Sequence, residues 1–186
     1  MQMFSNRQAE IIEKSIGIIA NKGIQGLTIK NLSKEIGISE PAIYRHFDSK
    51  TAILIAILDT FEDMSTLMGG LAKNSADTAP NKIAFIFSSM TDIFMETPAL
   101  VSVIFAEEIF KNELVLKEKI TSILNNNEDT IEGIIKNGQK KGEVRSDMSY
   151  KNLALIIMGS LRLIVKRWDL NNFSFDLKKE GKELMN

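Results

Sequence analysis

Cysteine is missing from all 186 residues. Without it no disulfide, zinc–thiolate site or cysteine nucleophile can be built, and its absence fits a reducing cytosol. Histidine occurs once, at His46, so no pair of imidazoles can share a metal or pass a proton. Proline occurs three times, and beyond ten phenylalanines there are only two tyrosines and one tryptophan. Strand-forming runs are scarce, no segment alternates with a period of two, and Ile, Leu, Lys, Glu and Ala dominate, which favours helices. Long apolar runs are lacking as well. The longest, Leu153 to Leu161, is broken by Gly159 and Ser160 and ended by Arg162, too short to span a bilayer. Met1 to Lys14 holds no apolar signal core. A cytoplasmic protein with no membrane association is expected. Neither sign of charge prevails, since the net charge is −1. Residues 1–50 carry seven Lys or Arg against five Asp or Glu, a mild basic excess at one end.

What is present reads as a chain of helices. Ala9, Ile12, Ile16, Ile19 and Ala20 recur at helical spacing and predict a first helix from Arg7 to Asn21, stopped by Gly23. Thr28 is placed to cap a second helix whose buried stripe is Ile29, Leu32 and Ile36, ended by Gly37. Ser39 is placed to cap a third, from Glu40 to Phe47, with Ile43 and Phe47 facing inward. Pro41 is tolerated there because the first turn has no intrahelical N–H bond to lose. Ser49 opens a long fourth helix with the stripe Ile53, Ile57, Phe61, Met64 and Met68, weakened at Gly69 and Gly70. Further helices are expected from Asn81 to Thr97, Ala99 to Phe110, Glu113 to Lys141 and Tyr150 to Trp168, with a short one in the tail from Phe175 to Met185. The helix from Tyr150 to Trp168 is apolar on nearly all sides, so one side should cover the core and the other a partner chain.

Two short helices joined by Gly37-Ile38-Ser39 match the helix-turn-helix plan, in which the second helix enters the major groove of DNA. The outer positions of that second helix are Glu40, Ala42, Tyr44, Arg45 and His46. Small Ala42 permits close approach to base edges, and Tyr44, Arg45 and His46 can donate to phosphates.

The residues Gly26-Leu27-Thr28, Leu32-Ser33, Gly37 through Phe47, and Ser49-Lys50 together resemble the signature of the TetR/AcrR family of bacterial transcription regulators. The resemblance covers about Gly23 to Leu58 and combines turn glycine, caps and core positions in one register. It implies an all-α fold, with a three-helix DNA-binding domain at residues 1–49 and a helical-bundle domain for effector binding and dimerisation at 50–186. It implies phosphate contacts for Thr28, Tyr44, His46 and Lys50, a groove position for Lys30, base-edge positions for Ser39, Glu40 and Ala42, and a thymine methyl near Pro41. Ser33 departs from the family's frequent alanine but is small enough for the same packing. Glu40 is unfavourable near phosphate yet can accept from a cytosine amino group.

Phe61, Met64, Phe87, Met90, Phe94, Phe105, Ile109 and Met158 have a second reading besides ordinary core. A Met- and Phe-rich interior suits an adaptable cavity for an apolar effector. Arg162, a charge within an apolar helix, contacts either an effector or an acid at a dimer edge; the second reading is preferred. Glu107 and Glu108 are neighbours in sequence and do not share a helix face, so they make no metal site. Glu132, Lys136 and Lys140 form a solvated face. The expected function is repression by a homodimer that binds a palindromic operator through double-stranded DNA contacts and is released by a small, largely apolar effector. No cofactor is expected, and an enzyme is disfavoured by the missing cysteine, the lone histidine and the missing glycine-rich phosphate loop. The alternative is a nucleoid-associated DNA-binding factor that acts through a protein partner instead of an effector.

Overall fold

The computed structural model describes residues 4–105 and 113–185. The helices are α1 (Asn6–Gly26), α2 (Ile29–Ile36), α3 (Glu40–Tyr44), α4 (Lys50–Asn74), α5 (Ala79–Glu96), α6 (Ala99–Ile104), α7 (Leu114–Lys140), α8 (Tyr150–Leu170) and α9 (Leu177–Leu184). No strand occurs among the described residues.

Capping explains most boundaries. Ser5 and Gln8 form a capping box at the start of α1: the Gln8 N–H donates to Ser5 Oγ and the Ser5 N–H to Gln8 Oε1. The hydroxyl oxygens of Thr28, Ser49 and Ser149 accept from Asn31, Ala52 and Asn152, which starts α2, α4 and α8. Asp176 does the same for α9 through the Lys179 N–H. Pro80 sits in the first turn of α5, where it has no intrahelical N–H bond to lose.

By packing, the chain divides into two units. The first comprises Met1–Asp63 and Pro98–Thr121, and the second Met64–Thr97 and Ser122–Asn186. The first unit is organised around α1, which packs on both α2 and α6. Its core holds Ile11, Ile19, Leu32, Ile43, Ile53, Ile57 and Leu116, each with almost no exposed surface. Burying such a side chain is worth about 1.5–3 kcal/mol against leaving it in water. The buried face of α1 is Ile11, Ile12, Ser15, Ile18 and Ile19, while Ala9 and Ala20 are exposed. The expected stripe was therefore rotated, because buried Ser15 donates to the Ile11 carbonyl and so satisfies its hydroxyl inside an apolar face.

In the second unit, Ala72, Ala79, Ile83, Ile131, Ile134, Ile135 and Ala154 form one core cluster from α4, α5, α7 and α8. The helix α9 packs on α5 and α8. Gly69 and Gly70 do not weaken α4 enough to stop it, since it continues to Asn74. A Cβ on Gly69 would lie 3.0 Å from Thr130 Cγ2, so the missing side chain is what lets α4 and α7 approach there. Trp168 anchors the end of α8 by donating to the Phe175 carbonyl at 3.0 Å and packing edge-on against Phe173.

Candidate nucleic-acid interface

The interface is built on the turn between α2 and α3. Gly37 ends α2 at φ 77°, ψ 31°, a left-handed conformation that costs a side-chain-bearing residue about 1–2 kcal/mol. The N–H groups of Gly37 and Ile38 both donate to the Ser33 carbonyl, at 2.9 and 3.0 Å, which folds the chain back sharply. Ser33 is itself buried, and its hydroxyl donates to the Lys30 carbonyl. The serine is thus accommodated where an alanine would also fit.

Ile43 is fully buried and Phe47 nearly so. These two side chains fasten the inner face of α3, as their spacing of four predicted. The helix itself is shorter than expected and ends at Tyr44, after which the N–H groups of His46 and Phe47 both return to the Ile43 carbonyl. Ser39 stands at the N-cap position of α3, but its side chain makes no capping bond. Glu40, Pro41, Tyr44 and Arg45 are exposed, and Ala42 and His46 are half-buried. Thr28, Lys30 and Ser39 are exposed beside them. Thr28 spends its oxygen as an acceptor for α2, which leaves its O–H proton able to serve a phosphate.

Lys50 is the least free of the expected contacts. It is half-buried, and its ammonium donates to the Ile24 carbonyl at 3.0 Å. Burial lowers its pKa from the ordinary lysine value. An ammonium carries three donors, so donors remain for a neighbouring phosphate. Ile24 follows Gly23, whose φ of 66° and ψ of 173° put a kink near the end of α1.

One contributor was missed from sequence. Gln8 Nε2 donates to the His46 carbonyl at 3.3 Å and so ties the start of α1 to the end of the α3 turn. The Ser5-x-x-Gln8 spacing was the available signal, because it marks Gln8 as a residue held in place by its own helix end.

The residues expected to line an effector space are distributed over both units. Phe61 is buried and Phe105 half-buried in the first. In the second, Phe87, Met90 and Phe94 form one buried row on α5, Met64 is half-buried on α4, and Met158 packs against the core cluster. Ile109 lies outside the described residues, as do Glu107 and Glu108. The second unit also holds a crevice of 220 Å³ lined by residues including Lys73, Lys82, Asn137 and Lys141, with Glu143 accepting from the Ala79 N–H at 2.7 Å. None of the expected apolar residues lines it.

A short helix fastened by two apolar residues, with a polar outer face and a left-handed glycine before it, defines a helix-turn-helix DNA-binding protein. Residues 11–57 match the family model of bacterial regulatory proteins of the tetR family, and residues 63–186 match that of the YsiA-like protein C-terminal region. The chain belongs to the TetR family and is a DNA-binding transcription regulator. It is 24% identical over 170 residues to the fatty acid metabolism regulator protein of Bacillus subtilis, covering 90% of this chain and 86% of that one. Over 115 residues it is 25% identical to the nucleoid occlusion factor SlmA of Actinobacillus pleuropneumoniae, covering 61% of this chain and 57% of that one. The crystal structure of the regulator FadR from Bacillus subtilis in complex with stearoyl-CoA shares the fold, with a TM-score of 0.82 at 24% identity over 97% of this chain and 96% of that one.

Proposed function

We propose that the protein is a repressor that binds a palindromic operator as a homodimer and is released by a long-chain fatty acyl thioester. The observation that carries the DNA half of this reading is the polar outer face of α3, held outward by Ile43 and Phe47. Base-edge roles fall to Ser39, Glu40, Pro41 and Ala42, with Lys30 in or beside the groove. Thr28, Tyr44, Arg45, His46 and Lys50 take phosphates, which position the protein without reading sequence.

The dimer is supported by α8. Leu155, Ile156 and Leu163 are more than half exposed on it, and Gly159 between them meets nothing within 4 Å of where a Cβ would stand. A row of this kind on a helix is satisfied by a second copy. The effector half is supported by the buried Phe87, Met90 and Phe94 row and by the relatives that regulate fatty acid metabolism. Apolar side chains of this type suit an acyl chain.

The test is fluorescence anisotropy on a genomic fragment selected by the purified protein. Saturating stearoyl-CoA is expected to weaken binding by about 5- to 150-fold, the usual span of such coupling, while free coenzyme A has no effect. Unchanged affinity with stearoyl-CoA would remove the effector from this reading.

The relation to nucleoid occlusion factors favours a second reading, in which the protein binds dispersed sites and acts through a protein partner. Genome-wide binding separates the two. One strong palindrome supports local repression, and many scattered sites with no effector response support the second reading.

A further inference from the structure

Two helices run out of the first unit: α4 after Asp63 and α7 after Thr121. About one turn before those exits, the two are joined. Lys119 Nζ lies 2.5 Å from Asp59 Oδ1 and 2.5 Å from Glu62 Oε2. Asp59 and Glu62 are three apart on α4, so they share a face and both reach the same ammonium. Each of the three side chains is only about one-fifth exposed, at 20%, 19% and 22%.

This cluster differs in kind from the other described ion pairs. Arg7–Glu10, Arg145–Asp147 and Lys166–Asp169 are local and staple single turns. Lys178–Asp92 joins distant residues but is about half exposed, where such pairs contribute little. The Lys119 cluster is both long-range in sequence and sheltered from water. Burial opposes the charge on Lys119, yet the hydrogen bonds and attraction of Asp59 and Glu62 together outweigh it and raise its pKa. Leu116, fully buried one turn earlier, holds the same stretch of α7 in the core.

We propose that Lys119 is a clasp that locks the register of α4 against α7, so that the first turns of α7 move as one body with the DNA-binding helices and operator affinity depends on the clasp. The fold makes this useful. The helix α4 follows the α3 turn directly, after Ser49 caps it, so the clasp holds the same helix that α3 leads into, while α6 packs on α1. An ammonium facing two carboxylates is also a sharp device. When it is withdrawn, the charge-assisted bonds that tie Asp59 and Glu62 on α4 to α7 are lost, and with them the directional contact that fixes where α4 sits on α7.

The absence of native cysteine permits a direct test. Exposed Lys34 on α2 and exposed Lys117 on α7 are both in the first unit. A K34C/K117C chain is spin-labelled, diluted into unlabelled protein and examined by double electron–electron resonance, which needs neither operator nor effector. The unmodified clasp should give one narrow distance distribution, and K119M a broadened or two-peaked one. K119M should also bind the selected genomic fragment about tenfold more weakly, within the normal range of coupling between sites. K119R should retain both properties. The triple variant D59N/E62Q/K119M also removes the two carboxylate charges and should recover thermal stability, while its distance distribution stays broad and its fragment affinity stays low. The proposal is overturned if K119M leaves distances and affinity unchanged, or if the triple variant recovers both along with stability, since the cluster would then be structural only.

Discussion

Two helices in this protein turn conspicuous residues outward, and they do so for opposite reasons. On α3 the exposed residues are polar or small, and the helix is only five residues long. On α8, a helix of 21 residues, the exposed residues include the apolar Leu155, Ile156 and Leu163. A polar outer face is at rest in water, so α3 needs no partner for stability and can wait for DNA. An apolar outer face is not at rest, so α8 signals a missing neighbour. The difference also decides how binding energy arises. Phosphate contacts act through charge and counterion release and fade with salt, whereas a helix–helix contact acts through area removed from water and does not.

The largest expected effect comes from breaking the α8 side. Ile156→Glu with Leu163→Glu should leave a monomer by analytical ultracentrifugation, and operator affinity should drop by roughly 10²–10⁴-fold as the second half-site stops acting in concert. If the variant stays dimeric, the apolar row is not the interface. The next effect concerns the frame of α3. Gly37→Val forces a β-branched residue to φ 77°, and should lower unfolding free energy by at least about 1–2 kcal/mol and abolish operator binding. Denaturant melts and anisotropy report the two losses.

Smaller effects separate the chemical roles on the α3 side. Tyr44→Phe removes one neutral phosphate donor and should weaken binding by about tenfold on specific and random DNA alike, with the salt slope unchanged because the hydroxyl carries no charge. Glu40→Ala should instead change which base is preferred while leaving random DNA binding unaltered. The smallest effect concerns pH. Because the folded pKa of Lys119 is raised, its contribution to stability is complete below the ordinary lysine pKa and disappears only as pH climbs through the higher folded value. Wild type and K119M should therefore differ in thermal stability at neutral pH and converge only in strongly alkaline solution.

Much of the α3 side was legible in sequence because its information is local. Thr28 and Ser49 cap where they were expected to, Gly37 takes the left-handed turn, and Ile43 and Phe47 face inward, all within a few residues of the atoms they serve. Ser39 was the exception: the N-cap position is occupied, but no capping bond forms. The apolar face of α1 was harder to read because its buried polar residue, Ser15, satisfies itself on its own backbone and so escapes a count of hydrophobic residues. Lys50 was assigned from resemblance as a phosphate contact, and its hold on Ile24 could not be foreseen, because 26 residues separate them.

By itself the sequence determined the helical class, the capping and turn geometry of α2 and α3, and the apolar surplus of α8, since each depends on neighbours one or two turns away. The tertiary structure alone decided that α6 and the start of α7 pack with the DNA-binding helices, that Gln8 steadies the end of the α3 turn, and that Lys119 sits between Asp59 and Glu62. Those contacts join residues 38 to 60 positions apart. No local pattern encodes them, because they come from which buried faces meet when the whole core closes.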